Sequence, residues 1–487
     1  MKKRRFYDDI GKGSAFFNMS VSNTHYGAKV IEKMLASCRS VYFIGIGGVS
    51  MSSLACLTAL DGKKVAGSDR TLSPLTDKLA AAGIEVFCGH DARRLDSFDA
   101  AVYTVAITPD NEEYLRAKER NIPLISRADY LGYIMTRREN RIGVSGMHGK
   151  STCTSMFAAV YMRAGRDPTV LSGADYPPMG GYFRIGTGKD LIFEACEYMD
   201  SFLDFSPTTA VILNVELEHV DYFGNIENIR QSFGKFAALT GKNGRVIVNA
   251  DDSDACLSLS SYTGTKVTFG IEKEADYTAK NITFDRGSSE FDIMKSGELL
   301  CRVAMKVPGR HNIYDALAVA ATADLDGIAA EDIAAGLADF TGAKRRMQYR
   351  GMLNGAPVYD DYGHHPTEIA ATLSGARAMC GNRRLVCVFQ PHTYSRLAAL
   401  FDGFVSSLSL ADRVMVAPVY AARETDTLGT GSCKLAAAIG KKACAPDSLD
   451  ATAGMLKEEL DGDCFAVIMG AGDIEDIFGI LFGEGLK

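Results

Sequence analysis

"GVSGMHGKST", residues 143–152, lies between a short apolar run at 141–144 and a run at 151–163 that suits a helix. The common phosphate-loop pattern, G-x-x-x-x-G-K-[S/T], has a glycine five residues before its second glycine. Here that position is Val144. The mechanics survive the loss. A strand end followed by a helix start places the backbone N–H groups of Gly149, Lys150 and Ser151 where free donors and the helix dipole favour an anion. Gly146 and Gly149, flanking Met147 and His148, let the backbone approach a phosphate without a Cβ in the way. Lys150 adds a mobile positive charge, and Ser151, followed by Thr152, adds a hydroxyl suited to Mg²⁺. A plain strand-to-helix turn with an exposed lysine has the same local pattern, so these residues alone leave both readings open.

Upstream, "SVYFIGIGGVSMSSLACLTAL" reads as a buried strand at 41–44 and a helix at 51–60. "KKVAGSD" is a second strand, and "DKLAAAGIEVF" a helix feeding a third. Alternating strands and helices predict a parallel sheet, here running to about residue 135. The turn "GIGGVS" lacks the third glycine of the dinucleotide fingerprint. It still follows a strand and opens a helix, so Gly45, Gly47 and Gly48 could hold a diphosphate. Asp69, ending the next strand, could take a ribose hydroxyl. A packing turn is the plainer reading, and taken alone the stretch suggests a nicotinamide-dependent oxidoreductase.

Residues 1–38 show no clear pattern and are expected to form a partly ordered arm. The polar "TRREN" (136–140) is a candidate linker. Downstream of the phosphate-loop candidate, "LIFEACEYMD", "AVILNVELEHVD" and "RVIVNADD" continue the alternation. A strand-rich stretch (277–307) and the turn and helix of "VPGRHNIYDALAVAATAD" follow. A second boundary falls near "FTGAKRRMQYRG" (340–351). Beyond it "APVYDDYG", "RRLVCVFQP", "DRVMVAPVY" and "CFAVIMGAGD" form another open α/β unit. The expected fold is therefore α/β in three domains: Rossmann-like at 39–138, a phosphate-loop ATPase-like parallel sheet at 139–342, and Rossmann-like at 343–487.

Bulk properties narrow the function classes. Among 487 residues, 47% are apolar and 23% charged, an ordinary globular balance. A net charge of −7 points to neither nucleic acid nor an anionic membrane. The twelve cysteines include no C-x-x-C pair. No apolar run is long enough to span a bilayer, and the basic start "MKKRRFYDDI" leads to no apolar stretch. The expectation is a reduced, cytoplasmic protein.

Taken together, "FIGIGGVSM", "GSD", "GMHGKST", "GYFRIGTGKDLIFEACEYMDSFL", "ILNVELEHVDYF", "VPGRHN", "RRMQ", "DDYGHHPTEI", "FQPHTYSR" and "MGAGDI" occur in an order that resembles the Mur ligase family, from about Ser40 onward. In that family the phosphate loop is usually G-T-H-G-K-T-T, without the first glycine. Here Met147 replaces the loop threonine, and Ser151 replaces a threonine while keeping its hydroxyl. "DDYGHHPTEI" and "FQPHTYSR" resemble the branch that adds L-alanine to UDP-N-acetylmuramate. The compact "EYMDSFLDFSP" argues against a relative that recycles cell-wall tripeptide, which has a longer insertion there.

The resemblance implies ATP-dependent ligation: UDP-N-acetylmuramate on the first domain, ATP with Mg²⁺ on the second, L-alanine on the third, and no nucleic-acid partner. It places Gly45, Gly47, Gly48 and Asp69 on the UDP-sugar. It places Gly146, Met147, His148, Gly149, Lys150, Ser151, Thr152 and Asn312 on ATP. Ser151, Glu194 and His219 are the implied metal ligands, and Arg346 and Asp361 approach ATP from the third domain. Tyr362, His364, His392 and Arg396 match the alanine side. The chain departs from the family at Asp315, usually asparagine, and at Thr393, often arginine, whose contact Arg423 is a candidate to replace. Phe236, beside Lys235, falls where other members carry a carbamylated lysine, so that modification is not expected. A nicotinamide oxidoreductase would leave the second glycine loop and "EHVD" unexplained. A nucleotide-driven regulator or motor would leave the C-terminal histidine clusters unexplained.

Overall fold

The computed structural model describes residues 21–285, 288–422, 424–426 and 429–483. Three sheets form, one in each expected unit. In the first, five parallel strands are ordered Glu85–Cys88, Lys64–Asp69, Ser40–Ile44, Ala100–Tyr103, Leu124–Ser126. The chain moves outward one way from Ser40–Ile44 and then returns to build the other half. The loop after that central strand therefore opens at the topological switch point, where ligands of such sheets gather. "GIGGVS" is that loop. The run that precedes it, SVYFI, is buried along its whole length, as a strand covered on both faces requires.

The second sheet has ten strands. Asn140–Ser145 lies inside it, between Thr209–Ile212 and Asp190–Glu194, with all pairs parallel. Both margins turn antiparallel. Gly181–Arg184 closes one edge on Thr169–Tyr176, and Tyr277–Asp285, Ser288–Lys295 and Glu298–Met305 form a meander at the other. The third sheet has six strands in the order Gln348–Leu353, Ala356–Asp361, Cys464–Met469, Arg384–Phe389, Arg413–Val416, Ala443–Cys444, with only the first pair antiparallel. "DDYGHH", "QPH" and "GAGD" all leave carboxyl ends of its strands, on one rim.

Of the arm, the stretch 21–38 is described, and the helix Ala28–Leu35 forms in it. Ile31 and Leu35, four residues apart on one face, are buried. Ahead of the helix, the Asp129 carboxylate accepts from Thr24 Oγ1 (2.8 Å), Tyr26 N (2.6 Å) and Gly27 N (3.0 Å). An eight-residue helix is marginal on its own; burial of one apolar face and a distant aspartate tie the segment down. The start of the arm, residues 1–20, lies outside the described residues. Among the described residues no helix is long and apolar enough to cross a membrane.

Candidate active site

Gly149, at φ 85°, caps the helix Lys150–Arg163, so the loop delivers its N–H groups to a helix start. Gly146 sits at φ 145°, and a Cβ there would lie 3.0 Å from Leu213 Cβ and 3.2 Å from Asn214 N. Only glycine fits both demands. Asn214 clamps the loop from the neighbouring strand's end. Its side chain accepts from His148 N (2.8 Å) and donates to His148 O (3.0 Å). Met147 is buried in the core beneath, which explains why an apolar residue is tolerated where the family has threonine.

The Lys150 side chain is largely buried, unlike the exposed lysine of a plain strand-to-helix turn. Its Nζ donates to Gly146 O (2.5 Å), Met147 O (3.1 Å) and Glu197 Oε2 (3.1 Å). Burial alone would push its ammonium toward neutrality; the Glu197 carboxylate outweighs this and holds it charged. Burial opposes the Glu197 charge likewise, and Lys150 and His219 outweigh it, keeping the carboxylate ionised. His219 Nε2 lies 3.2 Å from Glu197 Oε1. His219 itself holds φ 49°, and Met199 and Asp200 in the facing turn are also at positive φ. Such strain in non-glycine residues persists where surrounding packing imposes it, often at functional sites.

Glu194 accepts from Gly173 N, and from Ser172 Oγ at 3.2 Å. A Cβ on Gly173 would meet both Glu194 oxygens (3.0 and 3.1 Å) and Ser151 Oγ (3.3 Å). Glycine here leaves open a small oxygen-lined cradle. Glu194, Ser151 and the Lys150–Glu197–His219 chain thus line the mouth of the loop. Hydroxyl and carboxylate oxygens suit a hard divalent cation such as Mg²⁺.

At the other glycine turn, Gly45 (φ 83°), Gly47 and Gly48 are brought beside Asp69. Asp69 Oδ2 accepts from Gly47 N (2.9 Å) and braces the turn, while Oδ1 accepts from Thr71 N (3.2 Å) of its own loop. The following helix, Val49–Leu60, packs on the strand Thr169–Tyr176 that carries Gly173, joining this turn to the Glu194 cradle.

A cleft of about 840 Å³ opens between the second and third units. It is lined by His148, Gly149, Thr152, Asn312, Arg346 and Asp361 among others. Asn312 Nδ2 donates to Pro308 O (2.6 Å), shaping its own turn. Asp315 stands against Gly149, and burial raises its carboxyl well above the usual range, toward a neutral form that behaves much like the family's asparagine. Asp361 accepts from Met347 N and Gly363 N (both 2.9 Å), the bonds of a turn cap. Arg346 lies over the Tyr362 ring, 5.4 Å from its centroid. From there a chain of rings leads inward: Tyr362 to His364 (5.6 Å) and His364 to His392 (6.1 Å). Arg396 Nη1 lies 3.3 Å from His392 Nδ1, and Nη2 is 3.3 Å from Glu218 Oε1 of the second unit. Burial and Arg396 hold the His392 imidazole down at about 4. Arg423 lies outside the described residues. Phe236 stacks on Phe202 in the core, with centroids 4.6 Å apart.

Three family models match in order: "Mur ligase family, catalytic domain" over 40–139, "Mur ligase middle domain" over 144–323, and "Mur ligase, glutamate ligase domain" over 345–472. The chain belongs to the Mur ligase family. It is 43% identical over 440 residues to the UDP-N-acetylmuramate–L-alanine ligase of Clostridium acetobutylicum, covering 90% of this chain and 96% of that one. The enzyme of the same description from Caldicellulosiruptor saccharolyticus is 42% identical over 439 residues, covering 89% and 96%. Among solved structures, the UDP-N-acetylmuramate-alanine ligase of Thermotoga maritima superposes with a TM-score of 0.76 at 29% identity, covering 91% of this chain and 98% of that one. A murein peptide ligase from Psychrobacter arcticus gives 0.68 at 25%, covering 92% and 100%.

Several residues of this Mur ligase's cleft escaped the sequence reading. Glu197 is the acid that touches both Lys150 and His219, although "EACEYMD" offered Glu194 as the more obvious strand-end carboxylate. Asn214, Glu216 and Glu218 lie within the quoted "NVELEHVD" but had no partner in sequence to mark them.

Buried Asp360, beside Asp361, yields a stability prediction. Burial pushes its carboxyl up to about 6, although Arg345 and Arg350 pull it back. Those arginines stand 3.5 and 4.0 Å away, and neither oxygen has a hydrogen bond. A carboxyl raised in the folded state costs nothing below its unfolded pKa of 3.8, where it is protonated in both states. The cost grows up to about pH 6 and is constant above. Asp360→Asn is expected to stabilise the third unit by about 1–2 kcal/mol at pH 7.5 and by much less at pH 4. Thermal melts at the two pH values check it; equal shifts would place the effect elsewhere.

Proposed function

We propose that this Mur ligase joins L-alanine to the carboxylate of UDP-N-acetylmuramate, with ATP converted to ADP and phosphate, in peptidoglycan precursor synthesis in the cytoplasm. The observation that carries the reading is the contact between the two units: His148 of the phosphate loop lies 3.2 Å from Glu368, which lies 3.4 Å from His364, and Arg396 lies 3.3 Å from Glu218. The identity to alanine-adding ligases across nine-tenths of the chain supports it.

The chemistry follows from what the residues hold. The substrate carboxylate attacks the γ-phosphorus of ATP, ADP leaves, and an acyl phosphate forms. The alanine amine, having lost its extra proton, attacks the acyl carbon; the C–O bond to phosphate breaks and phosphate departs. Several anions must meet in the first step, so fixed cations and aimed N–H groups dominate catalysis. The helix-start N–H groups receive the transferring phosphoryl group, and Lys150 adds its charge beside them by exchanging one of its three bonds for a phosphate oxygen. Ser151, Glu194, Glu197 and His219 would hold Mg²⁺, which when bound neutralises phosphate charge. Arg346 approaches the nucleotide from the third unit. Arg396 offers a planar fork for the alanine carboxylate. His392, neutral near pH 7, adds no charge against the incoming ammonium.

Phosphate release from ATP, measured with and without UDP-N-acetylmuramate and L-alanine, tests the reading. Release that needs both supports it, and release independent of either overturns it. Glycine and L-serine in place of L-alanine give the selectivity.

The first glycine turn is assigned to the UDP diphosphate. A Cβ at Gly47 would come 2.9 Å from Asp69 Oδ2 and 3.0 Å from its Cγ, prising apart the brace that shapes the turn. Gly47→Val is expected to weaken UDP-sugar binding by about tenfold or more, roughly 1.4 kcal/mol, with ATP affinity nearly unchanged. Separate calorimetric titrations decide; unchanged UDP-sugar affinity, or tight NADH binding to the wild type, counts against it.

A further inference from the structure

At the seam between the phosphate loop and the third unit lies a cluster in which His148, whose backbone belongs to the phosphate loop, turns its side chain toward Glu216 and Glu368. His148, Glu216 and His365 each offer a ligand atom, and these atoms lie within 4.8 Å of one another. His148 belongs to the loop, Glu216 follows the strand Thr209–Ile212, and His365 caps the third unit's helix Pro366–Cys380. His148 Nε2 and His365 Nε2 are both buried without a hydrogen-bond partner. His365 is only 5% exposed. Two orphaned imidazole nitrogens beside a carboxylate are costly unless something fills the space between them.

We propose that His148, Glu216 and His365 form a binding site for a zinc-class divalent transition-metal ion that cross-links the phosphate loop to the C-terminal unit. Two imidazoles and one carboxylate, with a fourth position left to water, match the donor set such ions take. Donors each about 2.1 Å from a tetrahedral ion stand roughly 3.4 Å apart; His148 Nε2 and Glu216 Oε2 are already at 3.7 Å. The outer contacts suit it too. His148 Nδ1 lies 3.2 Å from Glu368 Oε1, which orients the ring and leaves Nε2 for the ion. Thr367 Oγ1 donates to Glu216 Oε2 at 2.7 Å, fixing the carboxylate. With Glu216 and Glu368 both at hand, the pocket draws a cation and repels a phosphate. Binding displaces any proton on the two Nε2 atoms to solvent. Binding has two costs: His148, held protonated by Glu216 and Glu368 although burial opposes its charge, must give up its Nε2 proton, and His365 Nδ1 gives up a long 3.4 Å contact from Thr367 N. The cluster shares no side chain with the Ser151–Glu194–Glu197–His219 set. An ion here staples shut the cleft that must open for nucleotide exchange, so it inhibits turnover.

The test uses the full-length protein, stripped with chelator and kept in excess Mg²⁺. Co²⁺ is titrated by visible absorption, Zn²⁺ competes, and Zn²⁺ inhibition of phosphate release is read in parallel. His365→Asn removes the imidazole but keeps a good helix cap; Glu216→Gln removes the carboxylate. The expected result is one tight Co²⁺ with a tetrahedral spectrum in the wild type. In both variants its affinity falls at least tenfold and on the order of a hundredfold. His365→Asn keeps basal turnover and loses zinc inhibition to the same degree. Equal Co²⁺ affinity in wild type and both variants, a thiolate charge-transfer band marking cysteine ligation, or undiminished zinc inhibition in His365→Asn would each overturn the proposal. The spectral reading needs no catalysis, so its outcome stands apart from that of the ligase assay.

Discussion

Lys150→Ala is expected to lower turnover by on the order of a hundredfold or more, because it removes the positive charge of the loop to which the transferring phosphoryl group is assigned. The structure adds a second expectation. Lys150 is paired with Glu197, whose side chain is 1% exposed, so the alanine variant leaves a buried carboxylate without its cation. Stability should fall as well, by up to about 3–5 kcal/mol. The double variant Lys150→Ala/Glu197→Gln separates the effects: it should recover much of the stability and none of the rate. Phosphate-release kinetics and thermal melts on the same preparations give both readings. Near-normal turnover in folded Lys150→Ala would remove the ATP site from this loop.

Arg396→Ala should act on one substrate alone. A lost charge-assisted hydrogen bond, worth roughly 1.5–3 kcal/mol, raises the half-saturating L-alanine concentration about ten- to hundredfold. Lysine at 396 should rescue only in part, since a point charge cannot reproduce the fork. In the structure the guanidinium rests between His392 and Glu218. On this reading Glu218 positions the guanidinium and gives up its N–H to an incoming carboxylate. Steady-state kinetics with each substrate varied in turn decide the matter. A defect in ATP or UDP-N-acetylmuramate instead of L-alanine would mean that the amino-acid site lies elsewhere.

Much of this architecture is legible locally. Buried runs such as SVYFI and RVIVN read as strands because parallel strands are covered on both faces. The order of "DDYGHH" and "QPHTYSR" carries the C-terminal cluster because each motif directly follows a strand, and parallel strands bring such ends to one rim. What stayed illegible depends on partners far away in sequence. The Ala28–Leu35 helix forms because Asp129 holds the segment ahead of it, about a hundred residues on. Asp69 reads as a ribose ligand because it ends a strand, and only the fold shows that one of its oxygens also accepts from Gly47 N of the turn.

By itself, then, the sequence determined the three α/β units, the two glycine turns at their strand ends and the residue types gathered on each rim, since these follow from periodicity and from which conformations glycine alone permits. Tertiary structure decided which acid serves Lys150. It chose Glu197 over Glu194, through a turn held at positive φ by its surroundings. It also decided that Glu216, Glu218 and Glu368 face the histidines and arginine across the seam between units. The physical reason is range: backbone preference is set by neighbours in the chain, whereas the charge state and partner of a buried side chain are set by whatever the packing brings within a few ångströms.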